Sequence, residues 1–107
     1  MASLNIQNIG SKGVEIDWVA ADASGDQFRN QGQEVIMFQN TGLSDRTVTI
    51  VPGGSDGGFM FKDQTIEVLA GKQACAGKFS QTAVNDANGI ASFQYDDATD
   101  LMVAVIR

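Results

Sequence analysis

Chemistry at a protein site starts from nucleophiles, bases and metal ligands, and this chain holds few of them. It has no histidine and a single cysteine, Cys75. The Ser/His/Asp and Cys/His arrangements that activate a nucleophile therefore lack their base, and the usual Cys/His zinc sites are excluded. Without a disulfide partner or a neighbour that would lower its pKa, Cys75 is expected to be a small buried or half-buried apolar residue. Carboxylates remain as candidate acids and bases. Asp96, Asp97 and Asp100 fall in a turn signal, where Asp is selected for hydrogen bonds to its own backbone, and that reading is preferred over acid–base work. Asp86, Asn88 and Gly89 match part of a calcium loop, and Asp22 and Asp26 lie close together, but neither stretch has the full ligand spacing or the closing bidentate Glu. The run Gly53-Gly54-Ser55-Asp56-Gly57-Gly58 lacks the Gly-Lys-Ser/Thr ending of a phosphate loop and no helical pattern follows it, so it reads as a flexible connection. No catalytic residue, cofactor or metal is expected, and the chain is read as non-enzymatic.

What remains is surface, and the elements that display it are strands. β-Branched and aromatic residues come in about eight short runs, separated by Gly, Asn, Asp and Ser clusters. In residues 14–19, Val14, Ile16 and Trp18 alternate with Glu15 and Asp17, which predicts a half-buried strand with Trp18 inward. A short run surrounds Phe28. Residues 34–39 are continuously apolar from Val35 to Phe38, as in a strand covered on both faces. Residues 46–51 place Val48 and Ile50 inward and Thr47 and Thr49 outward, and Pro52 ends the run. Further strands are expected over residues 64–69, 74–79, 90–95 and 101–106, the last nearly continuous in apolar residues. No segment carries an apolar stripe at helical period; residues 81–88 allow at most a turn. This pattern predicts an all-β fold, a small antiparallel β-sandwich of Greek-key or jelly-roll type with about eight strands.

The 107 residues suit one domain, with an amino-terminal arm over residues 1–12 and the sandwich over 13–107. Seven basic against thirteen acidic residues give a net charge of −6, which repels phosphate backbones and argues against a direct nucleic-acid partner. Charged residues make up 19%, a low share that suits a surface with extensive protein contacts. No stretch has the apolar length of a membrane helix and the first ten residues lack the pattern of a secretory signal, so a reducing cytosol is the expected folding compartment. Leu4 and Ile6 alternate in the arm, which either frays or orders on a neighbouring subunit. Phe59, Met60 and Phe61 follow the glycine run and either close the end of the core or form a patch for another chain. Leu4, Ile6, Phe59, Met60 and Phe61 are thus the candidate protein-contact residues.

The order of features is itself informative. Ala20-Ala21-Asp22 leads to Gly25-Asp26, then Phe28-x-Asn30-x-Gly32, a strand ending in Asn40, and Thr47-Val48-Thr49-Ile50. Thr65-Ile66-x-Val68, Ala70-Gly71, Asn88-Gly89 before the Tyr95 strand, and a closing Val103-Ala104-Val105-Ile106-Arg107 complete it. Over residues 17–107 this pattern resembles the capsid decoration, or cement, proteins encoded among the head genes of tailed bacteriophages. The resemblance implies a virion structural protein on the outside of an icosahedral shell. It would be assembled in the host cytoplasm, bound to the major capsid protein and often trimeric. A neck, tail or head-fibre component of the same fold is the first alternative. A carbohydrate-binding β-sandwich is the second; it needs exposed aromatic platforms, for which only Trp18 and Tyr95 are available beyond the phenylalanines.

Overall fold

Alternation along each strand divides the side chains between an interior and two outer faces, and this division sets the architecture. The computed structural model describes residues 2–53, 55–56, 59–60 and 63–107. In chain order the strands are β1 (Ala2–Ser3), β2 (Ile6–Gln7), β3 (Val19–Ala20), β4 (Asp26–Arg29), β5 (Val35–Asn40), β6 (Arg46–Val51), β7 (Ser55–Asp56) and β8 (Phe59–Met60). They continue with β9 (Gln64–Val68), β10 (Gln73–Gly77), the one-turn helix α1 (Gln81–Val84), β11 (Ile90–Tyr95) and β12 (Leu101–Ile106). One sheet has the order β1-β4-β11-β6-β9; the other has β10-β5-β12-β2, with β3 also on β12, and β7 pairs with β8 alone.

The interior is apolar and aromatic. Phe28, Phe93, Val48, Ile50 and Val68 from the first sheet meet Ile36, Phe38, Leu101, Val103 and Val105 from the second, all essentially inaccessible to solvent. Phe93 lies 6.0 Å from Phe38 across the interior in an edge-on arrangement, and 6.2 Å and 5.8 Å from Phe28 and Tyr95 in its own sheet. Such pairs add about 0.5–1.5 kcal/mol each beyond the area they bury. The apolar run of β5 is explained by its central position: β10 and β12 flank it, Ile36 and Phe38 face inward, and Val35 and Met37 are half-buried on the outer face.

Two sheets of five strands replace the eight expected, and the pairing is mixed. Both differences arise in the arm. β1 runs parallel to β4 and β2 runs parallel to β12, so the arm crosses from one sheet to the other and covers an edge of each. Unpaired sheet edges are unfavourable, and two dipeptides with Leu4 between them suffice to cover these. Leu4 and Ile6 pack against the protein's own core.

The arm also accounts for a strand that does not form. Residues 14–17 are not in a strand, and Val14 and Ile16 are exposed. β2 already occupies β12 at Val105 and Ile106, leaving only Met102 and Val103 to pair with Ala20 and Val19. The backbone of Asp17 is instead satisfied by the Gln7 side chain, which accepts from its N–H and donates to its carbonyl, both at 3.0 Å. Cys75 is exposed rather than buried, because Ala74 and Ala76 take the inward positions of edge strand β10. Phe93→Ala is expected to lower stability by about 3–5 kcal/mol, measured as a fall in the urea midpoint without a change in slope.

Candidate binding cleft and contact surface

Among the described residues four polar side chains are buried: Asp26, Asn30, Glu34 and Asn40. Buried polar groups are normally hydrogen-bonded, and three of these four follow the rule completely. Asn30 donates to Asn85 Oδ1 at 2.8 Å and to the Phe79 carbonyl, and accepts from the Gly32 N–H. Asn40 donates to the carbonyls of Ser44 and Val68 and accepts from the Gly42 N–H. Glu34 accepts from the N–H groups of Gln31 and Gln33 through Oε1, and Arg107 Nη1 lies 3.2 Å from its Oε2. Each of the three ties a loop to the sandwich.

Asp26 is the exception. It follows the tight turn in which Asp22 accepts from the Ser24 N–H and hydroxyl, while Gly25 adopts a φ of 101°, a conformation that favours glycine. The turn starts β4 with Asp26 on the same face as Phe28, pointing to the interior. Asp26 Oδ2 accepts from the Tyr95 hydroxyl at 2.5 Å and from the Asp22 N–H at 3.2 Å. Oδ1 is buried and has no hydrogen-bond partner among the described residues. Burial pushes the Asp26 carboxyl above the ordinary carboxylate range, an effect that the two donors reduce without cancelling. Tyr95 is likewise pushed far up by its burial and by the carboxylate beside it, so the phenol remains a donor.

Asp26 is among the residues that line a cleft of about 550 Å³. The cleft opens where the outer side of β12 changes partner from β3 to β2, at Ala104. Leu4, Trp18, Val19 and the segment 103–105 form its apolar walls, and Asn5, Gln7 and Asp17 contribute polar groups. Trp18, expected inward, is half-buried in the wall of this cleft. The volume is in the range of small-molecule sites, and so is the mix of apolar walls with a few convergent polar groups.

A second feature lies beside the cleft. Among the described residues, six large apolar side chains are exposed, and four of them, Ile9, Val14, Ile16 and Val19, fall within residues 9–19. Leu43 and Leu69, the other two, stand on neighbouring loops joined by the Asn40 side chain and by the bond from Ala70 N–H to Asp45.

Of the sequence-derived contact residues, Leu4 and Ile6 are half-buried and Leu4 also lines the cleft. Phe59 and Met60 form β8, paired with β7, and Phe61 lies outside the described residues. Sequence reasoning treated Asp26 only as a turn or calcium residue, yet the spacing Asp26, Phe28, Asn30 is the period of a strand and places all three on one face. The chain matches no protein-family model, no curated protein and no solved structure.

The raised pKa of Asp26 has a defined sign in stability. The folded state holds this proton more tightly than the unfolded chain, so the contribution of Asp26 is most favourable at acid pH and is lost as pH rises through the folded pKa. Asp26→Asn removes this dependence. Urea midpoints from about pH 4 to neutrality should show the stability of D26N relative to the parent protein rising with pH.

Proposed function

We propose that this chain is a structural protein of a tailed-phage virion that binds the outer surface of the icosahedral capsid and stabilises the shell, as a homotrimer. The observation that carries the reading is the concentration of exposed apolar side chains, Ile9, Val14, Ile16 and Val19, on one segment along the flank of the domain. Apolar groups clustered on a small charged domain are characteristic of a surface that another protein covers. Repetition of such a contact over a symmetric shell turns a modest interface into high avidity.

The strand order supports the same reading. Leaving out the arm, the sheets run β3-β12-β5-β10 and β4-β11-β6-β9, with every pairing antiparallel. Successive strands alternate between the sheets except at β6 and β9, which are neighbours, setting aside the β7–β8 hairpin between them. We read this as the wrapped Greek-key arrangement of a jelly roll, an architecture common in capsid and lectin domains. The resemblance of the chain's order of sequence features to that of decoration proteins is in keeping with this reading. The domain works without catalysis in this reading, and the histidine-free sequence carries no nucleophile–base motif of the Ser/His/Asp or Cys/His kind.

Val14→Asp combined with Ile16→Asp should leave the urea midpoint unchanged, because both side chains are exposed. Binding to shells lacking this protein should fall at least about tenfold, the effect of losing one hot-spot contact, as measured by co-sedimentation. Binding by the double variant equal to that of the parent, or no binding by the parent, would reject the reading. In purified particles the copy number should approach that of the major shell protein; a small fixed number per particle would assign the chain to a neck, tail or fibre instead.

A further inference from the structure

We infer that the cleft at Asp26 is a binding site for a small organic cation, an ammonium or guanidinium group on a short apolar stem. Three observations lead to it. Asp26 Oδ1 is a buried acceptor with no partner among the described residues, while Asn30, Glu34 and Asn40 have their side-chain bonds made. A buried acceptor of this kind requires a donor, and a charged one forms the stronger bond. The cleft's apolar wall residues, Leu4, Val19 and Val103 to Val105 with Trp18 at its edge, suit an aliphatic stem. Among the described residues its titratable lining groups are Asp17 and Asp26 and neither lysine nor arginine lines it; the α-amino group is the one cation that acts on Asp26, and the whole chain carries a charge of −6. The field in the cleft therefore selects against anions.

A metal ion is a poorer match. Divalent ions draw on several oxygen ligands, and among the described residues no cluster of three His, Cys, Asp or Glu side chains exists. One buried carboxylate oxygen at the end of an apolar cleft matches a single N–H donor head with a hydrocarbon body. The cleft shares Val19 with the exposed segment assigned to shell contact, but Ile9, Val14 and Ile16 do not line it, and the inference stands whether or not the chain binds a capsid.

Trp18 lines the cleft and is the only tryptophan in the chain, so its emission reports on a residue of the cleft's edge. The unmodified protein would be titrated with n-butylammonium and n-butylguanidinium, and with butyrate and n-butanol as probes of the same stem. The inference requires a saturable change in Trp18 emission with the two cations and none with butyrate, at least about tenfold tighter than with butanol, the effect of one charged hydrogen bond. Equal responses to butanol and the cations, or no saturation with either cation, would overturn it. Asp26→Asn turns the unpaired acceptor into an amide donor and should weaken cation binding at least about tenfold; unchanged binding by folded D26N would also overturn it. If D26N does not fold, the comparison of the four probes on the parent protein remains decisive. A further titration with Nα-acetyl-lysine methylamide separates the sources of the cation: tighter binding than n-butylammonium assigns a lysine side chain, and weaker binding assigns a free amine.

Discussion

The structure depends on four rings packed between two sheets. Phe28, Phe93 and Tyr95 rise from adjacent strands of one sheet, and Phe38 enters among them from the centre of the other, edge-on to both Phe93 and Tyr95. Their volumes set the separation of the sheets, and their two-residue spacing along β11 fixes its register, since a slip of one residue would bring Ser92 and Gln94 into the interior. The aliphatic side chains around them can exchange one apolar shape for another at modest loss, but the rings cannot. Tyr95 also connects the core to the cleft. Its ring packs with Phe93 and its hydroxyl donates to Asp26, so the packing that holds the sheets together also orients the buried carboxylate.

Around this core the polar interior divides by role. Asn30, Glu34 and Asn40 substitute for backbone partners where the chain leaves its strands, and a loop without them would bury unpaired N–H and carbonyl groups. Such anchors are part of the fold's own requirements. Asp26 is different in kind, because Oδ2 accepts from Tyr95 and Asp22 while Oδ1 has no partner among the described residues. A buried, incompletely bonded carboxylate lowers stability relative to an apolar residue of similar size. Sites that violate the packing rules locally are where function is to be sought.

The sequence made the longer strands legible because their patterns are unambiguous. Val48 and Ile50 alternate against Thr47 and Thr49, Ala91 and Phe93 share a face, and the unbroken apolar runs of β5 and β12 mark the centre of a sheet. Two-residue strands cannot be read in this way, since two residues have no period. The placement of β1, β2 and β3 was decided by competition for the free side of β12, which is a tertiary effect. Residues 14–19 show the consequence: a correct alternation yielded exposed Val14 and Ile16 because the edge they would have paired with was already taken. Cys75 was misjudged for a related reason, its type suggesting burial while its register on an edge strand placed it outside. Asp26 was hidden by its neighbours, since the turn signal of Asp22 through Gly25 drew it into a loop when its spacing to Phe28 belonged to a strand.

The arm relates the cleft to the rest of the surface. It covers an edge of each sheet, so among the described residues the strands left at the sheet edges on the opposite side are β9 and β10. β9 presents Gln64, Thr65 and Glu67 to solvent, a polar edge that resists pairing with another chain. Extension of the first sheet at β9 is therefore disfavoured. The same arm forms part of the cleft, through Leu4, Asn5 and Gln7, while Gln7 holds the backbone of Asp17 at the cleft's rim and so fixes the segment that carries the exposed apolar residues. An occupant of the cleft would touch the arm, Trp18 and Asp26 together. It would also meet Val19, which the cleft shares with the exposed apolar segment, and this shared residue gives the two surfaces a physical means of influencing one another.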